Sequence, residues 1–78
     1  MEEHRVLARR LVARLDATEL QILKCVVRGI SDKGIVGLTN LTAEEVERAR
    51  ASMMKKLNAR RTADAVRIGL NAGLDFLD

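Results

Sequence analysis

Leucines recur at four-residue spacing near the start of the chain, at Leu7, Leu11 and Leu15, with Val12 beside them. Arg5, Arg9, Arg10 and Arg14 occupy the other faces, so the pattern predicts an amphipathic helix over about residues 3–15. A second helix is expected over 17–28. Asp16 stands where a cap belongs, Glu19 follows three residues on, and Leu20, Leu23, Val26 and Val27 form the apolar stripe. Gly29 is placed to end it in the left-handed region. A short third helix is expected over 32–38, capped by Ser31, with Ile35 and Val36 facing inward. Gly34 and Gly37 weaken it by roughly 1 kcal/mol each relative to alanine. Thr39-Asn40-Leu41 is the turn that follows, and Asn40 is the residue there best suited to positive φ. The fourth helix is expected over 43–57, opened by the capping box Thr42/Glu45 and ended by Asn58. Val46, Met53 and Leu57, with Ala49 or Arg50 between, fall at helical spacing. The fifth is expected over 63–72, capped by Thr62 and stopped by Gly73. Ala65, Val66, Ile68 and Leu70 make it more apolar than an exposed last helix needs, which points to a partner surface.

The 78 residues suffice for one domain. A domain of this size buries little more than about 60% of its unfolded surface. With no Trp, Tyr or Pro and one Phe, the core must be aliphatic, and the fold class is all-α. The formal charge of +3 is a mild basic excess, largest over residues 42–60, where five basic side chains face three acidic ones. Cys25 is the single cysteine, so no internal disulfide forms, and its place among valines reads as a buried inert thiol. No apolar run is long enough for a membrane span, and the first residues lack a secretory signal, so a cytoplasmic protein is expected. His4 has no metal-ligating partner, and Met53 and Met54 read as packing residues. There is no phosphate-binding glycine loop and no nucleophile motif. An enzyme, a cofactor, a metal and a small-molecule substrate are therefore not expected.

Helices two to five, taken together, resemble the LuxR/FixJ/NarL (GerE-type) DNA-binding domain. Leu15-Asp16-Ala17-Thr18-Glu19 resembles the family's opening Leu-Thr-x-Arg-Glu. Ile22-Leu23, Gly29 and Ser31-Asp32-Lys33-Gly34-Ile35 resemble its Val-Leu…Gly-x-Ser-Asn-Lys-Glu-Ile. Leu41-Thr42, Val46, Met53 and Lys56-Leu57 resemble Ile-Ser…Val…Ile…Lys-Leu, and Thr62-Ala63-Asp64-Ala65-Val66 resembles Arg-x-x-Ala-Val. The joint spacing across 15–74 carries the likeness; no single piece does. The resemblance implies a compact four-helix LuxR-type bundle (15–78) preceded by an additional N-terminal amphipathic helix (1–14). It implies that the third and fourth helices form the helix-turn-helix, that the fourth enters the major groove, and that the last makes a dimer contact. Where the family usually has Thr, Lys and His in the recognition helix, this chain has Glu45, Glu47 and Ala49; where it usually has Leu before the turn, it has Thr39.

On that frame the expected base-contact residues are Arg48, Glu44, Glu47 and Ala51. Arg48 offers a bidentate fork to guanine, competing with an i, i+4 pair to Glu44. Acids at that surface repel phosphates unless they accept from cytosine amino groups, and Glu45 has the simpler role of cap. Lys33, Thr42, Lys55, Lys56, Arg60 and Arg61 are the expected phosphate contacts, with a solvated basic face as the plain alternative. Val66, Ile68 and Leu70 are the expected dimer interface. The expected partners are duplex DNA and a second copy of the chain. The competing function is that of an anti-activator-like helix-turn-helix which does not bind DNA and engages another transcription regulator. The N-terminal helix either extends the dimer surface or is a linker packed on the bundle.

Overall fold

A computed structural model describes residues 2–74; the last four residues of the expected 15–78 unit lie outside the described residues. The described chain is all helical: α1 (Glu2–Val12), α2 (Ala17–Val27), α3 (Asp32–Leu38), α4 (Ala43–Lys56) and α5 (Thr62–Asn71). α2 is central and packs on both α4 and α5, while α1 lies on α5 and α3 lies on α4. The core is aliphatic, as the composition requires: Ile22, Leu23 and Val26 of α2 meet Ile35, Val46, Met53, Leu57, Ala65 and Leu74.

Local chemistry sets most boundaries. The Asp16 carboxylate accepts from the Glu19 N–H (2.8 Å), and the Glu19 carboxylate accepts from the Asp16 N–H (2.9 Å). Ser31 accepts from the Gly34 N–H, and Thr42 and Glu45 form the second reciprocal box. Gly29 has φ +78°, and the Ile30 N–H reaches back to the Cys25 carbonyl, closing α2 as a Schellman motif. α4 ends the same way. Asn58 takes φ +56°, and the Ala59 N–H bonds the Met54 carbonyl.

Five expectations change. α1 stops at Val12 rather than continuing to Leu15, because Asp16 must be extended (ψ 177°) to cap α2. Its buried residue is Ala8; Leu7, expected on the stripe, is 57% exposed. Asn40 is not left-handed: among the described non-glycine residues only Asn58 has positive φ. The turn is instead tied by Thr39, whose hydroxyl donates to the Ile35 carbonyl (2.8 Å) and accepts from the Leu41 N–H (3.3 Å). Arg61, not Thr62, is the N-cap of α5, and the Asp64 carboxylate accepts from the Arg60 and Arg61 N–H groups. Cys25 is half-buried rather than fully buried.

The glycines divide by surroundings. A Cβ on Gly69, inside α5, would stand 2.5 Å from a methyl of Val27, so this glycine is what lets α5 approach α2. A Cβ on Gly37 would meet nothing within 4 Å. Gly37→Ala should therefore stabilise the fold by up to about 1 kcal/mol through helix propensity. Gly69→Ala should destabilise it by about 1–2 kcal/mol, because the Val27 methyl must shift and a β-branched side chain is stiff at χ1. Urea denaturation of the pair checks this; equal gains from both would mean that the α2–α5 seam is loose.

Candidate nucleic-acid interface

α4 is held from two flanks. On one, Glu19 of α2 is only 2% exposed, and its carboxylate accepts from Lys56 Nζ (2.7 Å) and from the Ser52 hydroxyl as well as from the Asp16 N–H. Burial pushes the Glu19 pKa up. The bonds from Lys56, Ser52 and Asp16 and the Lys56 charge outweigh it, and the net shift is downward. On the other flank, the Arg50 guanidinium donates to Asp32 of α3 (2.7 Å) and to the Thr62 hydroxyl of α5 (2.8 Å). Val46, Met53 and Leu57, between these flanks, enter the core.

That clamping leaves one stripe facing outward. Glu44, Glu47, Arg48, Ala51 and Lys55 are all exposed, and their spacing places them along one side of α4. From Glu44 to Lys55 the stripe covers about 16 Å of helix axis. It begins acidic, carries Arg48 near its middle and ends basic. The four residues expected to contact bases therefore share one face. The Glu44–Arg48 pair is not formed, and Arg48 makes no hydrogen bond or ion pair with the described residues. Its charge still acts on Glu45. That carboxylate is held below the usual glutamate range, first by the Thr42 N–H and then by the Thr42 hydroxyl; desolvation opposes them, and the Arg48 charge adds a lesser downward effect. Glu45 is thus committed to the cap.

The expected phosphate contacts are not all alike. Lys33 is exposed and lines, with Val36 and Ala43, a shallow depression beside the first turn of α4. Thr42 is exposed at the cap, its hydroxyl accepting from Glu45; Lys55, Arg60 and Arg61 are also exposed. Lys56 is different. Its ammonium turns back to Glu19, so it holds the fold, while its side chain remains 36% exposed. The expected dimer residues also separate. Leu70 is 45% exposed and Val66 is half-buried, whereas Ile68 lies in the seam with α1, beside Leu7, Ala8 and Leu11.

Sequence reasoning missed Arg50 and the wider role of Glu19. A signal was available for Arg50: a charge at a register position between Val46 and Met53 must find partners as it turns inward. Among the described residues no group of His, Cys, Asp or Glu is arranged to hold a metal, and no helix is long and apolar enough to cross a membrane.

Comparison with known proteins gives a family match over residues 13–68 to the model described as bacterial regulatory proteins, luxR family. The chain is similar to the transcriptional regulatory protein FixJ of Azorhizobium caulinodans, at 35% identity over 63 residues. That alignment covers 81% of this chain and 30% of the relative, so the chain spans less than a third of the relative's length. No solved structure matches the chain.

Proposed function

Because the chain belongs to the luxR family of bacterial regulatory proteins, we propose that it regulates transcription in the cytoplasm by binding duplex DNA as a homodimer, with α4 in the major groove. The observation that carries this reading is the outward stripe of α4, where Arg48 makes no hydrogen bond or ion pair with the described residues. Arg48 reads guanine through its fork, Glu44 and Glu47 accept from cytosine amino groups, and Ala51 meets a thymine methyl. Lys33, Thr42, Lys55, Arg60 and Arg61 position the helix on phosphates. Residues 15–78 form the binding unit and 1–14 an extension on it. Val66 and Leu70 on the open side of α5 supply the copy-to-copy contact. Ile68, under α1, supports that contact from behind.

The acidic first turn of α4 favours a second reading, in which the same face engages another regulator and no DNA. One titration separates the two. Fluorescence anisotropy against genomic fragments should show affinity that falls steeply with salt. Arg48→Ala should relax sequence preference by about 1–3 kcal/mol. No binding at low salt, together with capture of a second regulator by the same face, would replace the first reading by the second.

A further inference from the structure

We propose that Arg50 is the positioning residue that sets how α4 is presented to DNA, by joining the first turns of α3 and α5 through one guanidinium. The proposal rests on the DNA-binding reading above and adds a residue that touches no base and no phosphate.

The geometry carries it. Nη1 donates to Asp32 Oδ1 at 2.7 Å, and Nη2 donates to Thr62 Oγ1 at 2.8 Å. Asp32 is the first residue of α3, and Thr62 is the first residue of α5. A single planar group thus addresses two helices, 18 residues away on one side and 12 on the other. The Arg50 side chain is 23% exposed and that of Asp32 is 56% exposed, so the guanidinium is inset between the two helices while both bonds lie at the surface.

α3 needs such a tie. It has seven residues, two of them glycine, and only Ile35 is buried. Ile35, with half-buried Val36 beside it, resists lifting but does little to stop α3 turning about that point. The Asp32–Arg50 bond supplies the second point of attachment, at the end of α3 next to Lys33. On the opposite flank of α4, Ser52 and Lys56 grip Glu19. Two grips on opposite flanks fix the roll of α4, and roll decides which side chains reach a base edge. Lysine cannot replace Arg50 here, because a single ammonium has no fixed fork to divide between Asp32 and Thr62.

The test compares wild type with Arg50→Lys, Arg50→Ala and Thr62→Val in two measurements. The first is amide hydrogen exchange of the free protein. Arg50→Lys should speed exchange in α3 while α2 stays protected; unchanged exchange in α3 would overturn the clamp, whether or not DNA binds. The second is specific against non-specific DNA affinity across a salt series. The expected result is a loss of specific affinity of about tenfold, comparable to one degraded base contact. Non-specific affinity and the salt slope should stay unchanged, because no phosphate contact is removed. A slope reduced by about one phosphate contact would show that Arg50 touches DNA directly and would overturn the positioning role. So would an unchanged specific-to-non-specific ratio in a folded variant. If Arg50→Ala does not fold, Thr62→Val, which removes one acceptor, carries the same comparison with a smaller loss. Absence of DNA binding by wild type would sink the DNA-binding reading and with it this proposal's role, while the exchange measurement would still report on the clamp.

Discussion

Lys56→Met should cost the fold about 3 kcal/mol at neutral pH, and the deficit should close on acidification. Methionine keeps the hydrocarbon stem and removes only the ammonium, leaving the Glu19 carboxylate buried and without its counter-charge. The cost has a ceiling, because Glu19 escapes it by taking up a proton. At about 1.4 kcal/mol per pH unit, and with neutral pH about 2.7 units above the usual glutamate value, that ceiling is near 3–4 kcal/mol. This is a large share of the roughly 4–12 kcal/mol expected for a domain of this length. The two proteins should respond to acid in opposite ways. In wild type the Glu19 pKa is depressed on folding, so its contribution is complete above the unfolded pKa and is lost as pH falls through the folded one. In the variant the folded pKa is raised, so the penalty is complete above that raised value and fades as pH falls toward the unfolded one. Urea midpoints at pH 7 and pH 4.5 measure both. A gap between the two proteins that stays constant with pH would refute the assignment of Lys56 to Glu19. Glu19→Gln is the milder change, about 1–2 kcal/mol, because the lysine left behind is already 36% exposed and can turn to water.

Ile35→Ala should cost about 3 kcal/mol, with the damage confined at first to one helix. Ile35 is fully buried, and it is the buried residue of α3. Truncating it removes transfer energy and leaves a cavity, the combination that makes such changes expensive. Two glycines give α3 little propensity of its own, so the loss of this anchor should free the helix before the rest unfolds. Circular dichroism should show a small early loss of helix ahead of the main transition, and exchange should place it in α3. Val36→Ala, at a half-buried neighbour, should cost about 1 kcal/mol. Equal costs for the two would mean that α3 is anchored elsewhere.

The parts legible in sequence were those written within a few residues. Asp16/Glu19, Ser31, Thr42/Glu45 and Gly29 announce helix ends because a cap joins positions three or four apart, and each stands where it was expected. The outward stripe of α4 was equally legible, since helical period alone collects Glu44, Glu47, Arg48, Ala51 and Lys55. What could not be read joins distant positions. Lys56 looks like any surface lysine until the fold brings it to Glu19, 37 residues away. Gly69 reads as a weakness in a helix, because the methyl of Val27 that requires it lies on another one. Asn40 and Asn58 are equal candidates for positive φ by composition. Thr39 settles the first turn with its own hydroxyl, and only Asn58 enters that region.

The family match begins at residue 13, but the packing begins before it. Ala8 is 3% exposed against α5, and Leu11 and Val12 pack on the core. α1 is therefore built into the bundle and closes over Ile68.

The side chains that grip α4 and those it turns outward are different residues. Mutation can thus rewrite the outward face of α4 with almost no penalty in foldedness, so the chemistry of that face can drift while the architecture stands still.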